Sequence, residues 1–342
     1  MRTLYPPAAP LLSSRTSGST GMPVPFLFDA PHQRGRFAAR ARYLRENGWN
    51  PLPRGAWIIH VRPDSPDDEL VRPRRLLGSR FFSHVSDLDE QAEWLERLNP
   101  VHLYTYPVNL AGLLPIFESG ARRLPALQRV FTGSEVLEDS LRARVRALFG
   151  IDVADNYGST EAFLAWQCPA GSYHVNAEHV LVEIVDAGGT PTAPGVLGRV
   201  LVTTLENRLM PLVRYEIGDY AYAAGEPCTC GRRLPTMGRI IGRGINLFVN
   251  ARGKLLVPWT LLRVLKDQPV LAQYQVVQRT VDRFLIRFVA PRALTTEERS
   301  AIQAGFEAIL GPRLFLDFER LESIPRAPSG KFMPAICEIG AG

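Results

Sequence analysis

The sequence predicts an α/β protein. We expect a large N-terminal domain of layered α/β sheets with a β-rich subdomain, followed by a small C-terminal α+β domain. Its 342 residues are 46% hydrophobic and 22% charged, a globular composition long enough for two domains with cores of their own. Before residue 130, apolar runs such as 56–61 alternate with helical stretches such as 88–95, which is typical of a largely parallel sheet. After Glu161, strand-like runs flank a Gly/Pro-rich turn, which favours an antiparallel or barrel-like subdomain.

A helix and a strand are predicted just before that change. Apolar residues recur at helical spacing up to Gly150, a residue typical of a helix C-terminus; they are Leu137, Leu141, Val145, Leu148 and Phe149. Residues 151–154 indicate a short strand. The strands of the antiparallel subdomain are expected at Val180–Val185 and 199–204, around the turn region 188–198.

The C-terminal part has the pattern of a small α+β domain. Strands are predicted at 274–277 and 284–289, and a capping box at residues 295–298 begins a helix. The apolar face of this helix is expected to carry Ile302, Phe306 and Ile309.

The chain is basic, with a formal net charge of +6 and a pI of about 9.3, which suits a protein that handles nucleotides. The tight basic group at residues 72–75 has no aromatic-basic recognition module beside it, so no nucleic-acid partner is expected. No apolar run has the length of a signal peptide or a membrane span. The sequence predicts a cytoplasmic protein with no membrane partner and leaves the oligomeric state open.

A run near the N-terminus, residues 13–23, is rich in hydroxyl side chains and glycines. Glycines let the backbone approach an anion closely, and hydroxyls and N–H groups donate to phosphate oxygens. The run is either a phosphate-binding loop or a plain flexible loop. Further segments with polar and glycine residues follow it in order, at 156–161, 214–219, 242–243 and 329–331.

Taken in this order, these segments resemble the motifs of the adenylate-forming ligases, which include acyl-CoA synthetases, peptide-synthetase adenylation domains and luciferases. The resemblance spans nearly the whole chain and implies an enzyme that uses ATP and Mg²⁺. It implies a loop around the β- and γ-phosphates formed by Thr16, Ser17, Gly18, Ser19, Thr20 and Gly21. Many members carry a lysine just after the proline of this loop, where this chain has Val24.

The segment around Tyr157 is the sharper signal. By resemblance, Tyr157 and Gly158 lie against adenine, the Thr160 hydroxyl reaches the α-phosphate and Glu161 holds Mg²⁺, a hard cation that suits a carboxylate. Considered without the family, Tyr157 is a core residue and Glu161 belongs to a turn at a helix start.

Two more segments are implied to bind the nucleotide. Asp219 resembles the aspartate that accepts hydrogen bonds from both ribose hydroxyls, although a Gly-Asp pair by itself is usually a hairpin turn. Gly133, Ser134 and Glu135 resemble the segment that lines the adenine pocket, and a loop that caps the following helix is the alternative.

Near the C-terminus, Lys331 resembles the lysine that bridges the carboxylate and the α-phosphate during adenylation; otherwise it is a solvated surface lysine. We expect a domain boundary at Arg243, which also belongs to the nucleotide-binding set, with a large domain at 1–242 and a small mobile domain at 243–342. The family usually has two acidic residues at this hinge, where this chain has Ile245 and Asn246. Domain alternation is therefore a weaker expectation than adenylation.

The cysteine segments resemble the phenylacetate-CoA ligase and CapK-like branch of the superfamily. Cys228 and Cys230, with the distant Cys168 and His174, offer a Cys₃His set for structural Zn²⁺. The alternative is a group of reduced, unpaired thiols. Cys337 is left over and is expected to be buried and inert.

The resemblance implies an adenylate-forming ligase of the phenylacetate-CoA ligase type. It activates a carboxylic acid, with aryl or arylacetic acids favoured, and transfers the acyl group to coenzyme A. The alternatives are an adenylase with a carrier-protein thiol or an amine as acceptor, and a non-catalytic scaffold or partner subunit. The residues themselves do not fix the acid.

Overall fold

The computed structural model describes residues 12–15, 25–50, 55–59, 79–84, 86–243, 247–251, 253, 255–325 and 333–339. These residues divide into two units, the first ending at Ile241 and the second beginning at Gly242. Within these ranges, no helix has both the length and the apolar character needed to cross a bilayer.

A mixed β-sheet organises the first unit. Its strands, in spatial order, are β13 (Thr236–Met237), β9 (Tyr173–Val175), β8 (Phe163–Gln167), β7 (Val153–Gly158), β6 (Arg129–Gly133), β5 (His102–Thr105), β3 (Gly55–Ile59) and β4 (Ser79–Ser83). Neighbouring strands are parallel from β4 to β7 and antiparallel from β7 to β13. The predicted α/β class is therefore confirmed.

Helices cover both faces of this sheet: α1 (Ala30–Glu46), α2 (Leu88–Leu98), α3 (Pro107–Glu118) and α4 (Asp139–Phe149). Successive side chains of a strand point to opposite faces, so Trp57 packs with Tyr43 of α1, whereas Ile58 packs with residues of α2, α3 and α4. Burial on both faces explains why β3 is apolar along its whole length.

Helix α4 ends as its sequence predicts, because Gly150 adopts a left-handed φ of 70° and donates its N–H to the Arg146 carbonyl. The predicted strand at 151–154 is wrong in its bounds, since β7 begins at Val153 and continues to Gly158. The strand extends because Asp155 and Asn156, although polar, are buried and hydrogen-bonded to neighbouring elements.

An antiparallel sheet completes the first unit. It has the order β10 (Val180–Val185), β11 (Leu197–Thr204), β12 (Tyr215–Tyr222) and β14 (Ile240–Arg243), and the first two residues of β14 belong to this unit. Its buried residues, among them Val200, Val202 and Ile217, form one core cluster with Tyr157 and Ala165 of the mixed sheet. Next to it, β1 (Leu12–Arg15) pairs antiparallel with β2 (Pro25–Phe28). The antiparallel subdomain expected after Glu161 is confirmed.

The second unit is a small α+β fold. Its main sheet has the order β19 (Phe315–Arg320), β18 (Arg283–Val289), β17 (Gln273–Gln278) and β20 (Ala335–Cys337). It also contains β15 (Phe248–Val249), β16 (Leu255–Leu256), α5 (Trp259–Lys266) and α6 (Thr296–Leu310). Phe284, Ile286 and Phe306 lie at the centre of its core.

Helix α6 begins with the predicted capping box, in which Thr295 and Glu298 exchange side-chain and backbone hydrogen bonds. Ile302 and Phe306 are fully buried, as predicted. The expectation for Ile309 is wrong, since it is 37% exposed. The helix ends one residue later, and Leu310 makes the core contact instead.

Candidate active site

The candidate site lies where β6 and β7 end side by side. The two strands are parallel, and Gly133, the last residue of β6, is in register with Asn156 of β7. On the other side, β7 pairs antiparallel with β8, so the run of parallel strands stops there. The carboxyl ends of parallel strands, next to a change of strand direction, are the usual location of ligands in open α/β sheets.

Tyr157 connects the mixed sheet with the antiparallel sheet. The residue is 7% exposed and packs in the shared core cluster, and its hydroxyl donates a hydrogen bond of 2.8 Å to Asp219 Oδ2. Tyr157 is therefore a core residue with a polar function at its tip. This contact brings together two of the predicted nucleotide-binding residues, 62 positions apart.

Asp219 is half-buried and lies within β12, not in a hairpin turn. The register between β11 and β12 shifts beside it, and Gly218 has a left-handed φ of 81°. Only glycine adopts this conformation without strain, and a bulge of this kind changes the direction of the side chain that follows. Gly218 thus allows Asp219 to be directed at Tyr157.

A tight turn follows β7. The Ser159 N–H donates to the Ala162 carbonyl over 2.9 Å, and the turn holds Thr160 half-buried and Glu161 buried. Among the described residues, neither the Thr160 hydroxyl nor the Glu161 carboxylate has a hydrogen-bond or ion-pair partner. A carboxylate without a protein partner suits a cation as ligand.

Two buried histidines lie behind this turn. His32 Nε2 is 2.8 Å from the Glu161 carbonyl, which can only accept, so this nitrogen carries the proton. Burial, the larger cause, and the His179 ring, 4.8 Å away, together lower the pKa of His32 to about 4. His179 Nδ1 in turn lies 2.8 Å from Glu206 Oε2.

The neutral His32 therefore fixes the backbone of Glu161. Sequence reasoning missed this contact, because His32 is 129 positions from Glu161 and has no pattern around it that indicates a role.

The segment after β6 is closely packed. A Cβ on Gly133 would lie 2.4 Å from Asn156 Nδ2, an atom that also donates to Tyr104 Oη over 3.0 Å. Ser134 has a left-handed φ of 68°. The Glu135 carboxylate accepts the Val108 N–H at the N-terminus of α3, at 3.0 Å. Glu135 therefore caps α3, the helix that precedes it in the chain.

Sequence reasoning also missed a second tyrosine–aspartate pair, which links β7 to other strands of the mixed sheet. Asp155 accepts hydrogen bonds from Thr132 Oγ1, at 2.6 Å, and from Tyr173 Oη, at 2.5 Å. Burial raises the pKa of Asp155, although these hydrogen bonds oppose the shift. This pair holds β6, β7 and β9 together.

The other predicted residues are not brought to this edge by what the structure describes. Residues 16–21, 24, 244–246 and 331 lie outside the described part of the chain, and with them the phosphate loop and Lys331. Arg243 ends β14, is half-buried and belongs to the second unit.

The predicted metal group of cysteines and a histidine does come together in the first unit. One ligand atom from each of Cys168, His174, Cys228 and Cys230 lies within 4.8 Å of all the others. Cys337 is on β20 of the second unit and is half-buried, so the expectation of full burial is wrong, while partial burial raises the pKa of its thiol.

Comparisons with known proteins relate this chain to a family and to several enzymes. Residues 78–206 match the sequence model of the family described as AMP-binding enzyme. The phenylacetate-coenzyme A ligase of Thermus thermophilus is 33% identical over 162 residues, which cover 45% of this chain and 36% of that protein. The corresponding ligase of Aromatoleum evansii is 31% identical over 152 residues, 40% of this chain and 34% of its own length. The match thus spans about a third of these relatives.

Solved structures share the fold over nearly the whole chain. A 2-hydroxyisobutyryl-CoA ligase in the postadenylation state has a TM-score of 0.75 at 18% identity, covering 97% of this chain and 74% of that one. The anthranilate CoA ligase AuaEII has a TM-score of 0.70 at 17% identity, covering 94% and 64%. The amide bond synthetase McbA from Marinactinospora thermotolerans has a TM-score of 0.67 at 18% identity, covering 93% and 66%.

Residues 78–206 thus match the AMP-binding enzyme family, and the curated relatives that this chain resembles in sequence are phenylacetate-coenzyme A ligases.

Proposed function

We propose that this protein activates a carboxylic acid with ATP and transfers the acyl group to coenzyme A. In the first step a carboxylate oxygen attacks the α-phosphorus, the bond from phosphorus to the pyrophosphate oxygen breaks, and acyl-AMP and pyrophosphate form. In the second step the thiol sulfur bonds to the acyl carbon, AMP leaves, and the thiol proton passes to solvent.

The observation that carries this proposal is the Tyr157–Asp219 hydrogen bond beside the turn that holds Thr160 and Glu161. A carboxylate oriented by a buried hydroxyl can accept hydrogen bonds from a vicinal diol such as that of ribose. Thr160 has a hydroxyl free of partners among the described residues, and we assign it the α-phosphate. Gly133, Ser134, Glu135 and Gly158 complete the proposed adenine-binding edge.

Glu161 is the residue we assign to Mg²⁺. The fit rests on its carboxylate, which has no partner among the described residues and is an oxygen ligand of the kind that this hard cation prefers. Bound there, the cation would neutralise phosphate charge, while His32 fixes the backbone that carries the ligand. Glu161 is thus held at its main chain and left open at its side chain.

The remaining assignments rest on the sequence motifs. We assign the β- and γ-phosphates to residues 16–21, nucleotide contacts to Arg243 and the bridging cation to Lys331. A mobile domain at 243–342 would carry Lys331 to and from the site, and the boundary between the two units after Ile241 supports this division.

Aryl or arylacetic acids are the proposed substrates, which the phenylacetate-coenzyme A ligase relatives support. Coenzyme A is the proposed acceptor on the same ground. A carrier-protein thiol or an amine remains the second candidate, and the fold shared with an amide bond synthetase is compatible with it. A cytoplasmic location stays a prediction from the sequence.

ATP–pyrophosphate exchange with a panel of aromatic, arylacetic and aliphatic acids tests the proposal. We expect acid-dependent exchange, and Lys331→Ala should lower it by about 10²–10³ because a cation at the reacting oxygens is lost. Lys266→Ala, at the end of α5, is the matched control and should exchange normally. Absence of exchange with every acid, in protein that binds ATP, would favour the non-catalytic alternative.

A further inference from the structure

We propose that Cys168, His174, Cys228 and Cys230 bind one Zn²⁺ ion in a closed structural site, separate from the proposed adenylation chemistry. Cys168 Sγ lies 3.6 Å from Cys228 Sγ, and Cys230 Sγ lies 3.3 Å from His174 Nε2. In a tetrahedral site with Zn–S of about 2.3 Å and Zn–N of about 2.0 Å, ligand atoms are about 3.5–3.8 Å apart. These two pairs thus have nearly the spacing of a zinc tetrahedron, and all four ligand atoms lie within 4.8 Å of one another.

The histidine already presents the correct nitrogen. His174 Nδ1 lies 3.4 Å from the Leu234 carbonyl, which can only accept, so Nδ1 carries the proton and Nε2 has the free lone pair. Nε2 is the nitrogen that faces Cys230. A backbone carbonyl behind a ligating histidine is a common second contact in metal sites, where it fixes the tautomer and the ring orientation.

The cysteines lie in two glycine-containing turns. Cys168 accepts the Gly171 N–H at its carbonyl over 2.8 Å and donates its own N–H to the Ser172 carbonyl over 2.9 Å. The Cys230 N–H points at Cys228 Sγ over 3.5 Å. Gly171 and Gly231 have left-handed φ values of 89° and 79°, which only glycine adopts easily. The two turns therefore bring the sulfur atoms of Cys168, Cys228 and Cys230 close together.

The ion would link the segments that carry the edge strands β9 and β13 of the mixed sheet. Cys168 and His174 flank the turn between β8 and β9, and the 228–230 turn precedes β13, which pairs with β9 only through Thr236 and Met237 in the described part of the chain. A link across 60 residues would stabilise this short edge strand.

Four protein ligands leave no open coordination position, so the site is structural and does not activate a substrate. The charge of a neighbouring arginine also suits the site. Three thiolates and Zn²⁺ carry one net negative charge, which the positive charge of Arg232, two positions after Cys230, would partly balance. Arg232 pairs with Glu46 and lies over the Trp166 ring at 5.3 Å.

A disulfide between Cys168 and Cys228 is the competing arrangement. It would require the two sulfurs to approach to about 2.05 Å. It would also leave Cys230 and His174 facing each other without a function. The metal uses all four groups, whereas the disulfide uses two.

The test is metal analysis of the full-length protein, purified without chelators or a metal-affinity step. We expect about one zinc per chain, and replacement by Co²⁺ should give the visible absorption of tetrahedral thiolate-bound cobalt. Removing the metal with a strong chelator should lower the thermal midpoint, and adding Zn²⁺ should restore it.

Cys230→Ser should lose most of the zinc, whereas the matched control Cys337→Ser, on β20 of the second unit, should retain it. If Cys230→Ser does not fold, thiol counting on the native wild type decides the question. Three thiols should become reactive only after chelation. Native protein without zinc, equal zinc in both variants, or a Cys168–Cys228 disulfide found by mass analysis would overturn the proposal.

Discussion

The Tyr157 hydroxyl donates a 2.8 Å hydrogen bond to Asp219, joining the last parallel strand of the mixed sheet to the bulge of the antiparallel sheet. Tyr157→Phe keeps the buried ring and removes only this hydrogen bond. Since a hydrogen bond to a charged group contributes about 1.5–3 kcal/mol, part of which water can replace, we expect KM for ATP to rise about 3- to 10-fold. Exchange kinetics at varied ATP measure it.

Tyr173→Phe is the matched control for this change, because Tyr173 forms the same kind of pair with Asp155 away from Asp219. It should lower stability and leave KM for ATP unchanged. Equal effects of the two variants on KM would mean that Tyr157 acts only as a core residue.

Glu161→Gln should raise the Mg²⁺ concentration needed for half-maximal exchange. The amide keeps the shape of the side chain and the backbone contact to His32 but loses the charge that binds a hard cation. A Mg²⁺ titration of the exchange rate is the measurement, with the exposed Glu226→Gln as control. An unchanged titration would argue that Glu161 only forms the turn.

The buried His102 makes stability depend on pH. Burial lowers its folded-state pKa below the ordinary 6.5, and its Nε2 accepts the Asn50 N–H over 3.1 Å. As pH falls through about 6.5, the unfolded chain binds a proton that the folded chain refuses, so the free energy of unfolding falls. Below the folded-state pKa, His102 is protonated in both states and no longer lowers the free energy of unfolding.

His102→Gln keeps an acceptor for Asn50 and cannot titrate. We expect it to reduce the slope of unfolding free energy against pH, between pH 7 and the folded-state pKa, by up to about 1.4 kcal/mol per pH unit. Urea unfolding at several pH values measures this slope. Identical slopes in variant and wild type would show that other groups cause the acid sensitivity.

Gly133→Ala should destabilise the first unit by about 1–3 kcal/mol, the usual cost of overpacking. The added Cβ would lie 2.4 Å from Asn156 Nδ2, and Asn156 cannot easily move because its amide is bonded to Tyr104. Gly225→Ala is the control, since nothing lies within 4 Å of its added Cβ. Equal stability of the two variants would contradict the close packing of β6 against β7.

Much of the fold could be predicted from the sequence because its signals are local. Gly150 ends α4 and Thr295 begins α6 through contacts within a few residues of each helix end. The bounds of β7 could not be predicted, since the burial of Asp155 depends on Thr132 and Tyr173, which are distant in sequence.

The candidate site divides in the same way. Tyr157, Glu161 and Asp219 could be selected because they stand in short segments with characteristic neighbours, and the four zinc-ligand candidates because their residue types and spacing suggest a metal. His32 could not be selected from the sequence, because only folding brings it into contact with the Glu161 carbonyl. The hydrogen bond between Glu135 and the N-terminus of α3 could not be predicted either, because Val108 lies 27 positions earlier and no local sequence pattern indicates the contact.

The turn from Ser159 to Ala162 has a consequence for how this chain can vary. It joins two antiparallel strands in which Gly158 faces Phe163, so its length sets the register of β8. An inserted residue would either enlarge the turn and displace Glu161, or slip β8 by one position and turn Trp166 away from α1 to the other face of the sheet. The turn therefore tolerates substitution far better than insertion or deletion, because the geometry of the sheet fixes its length.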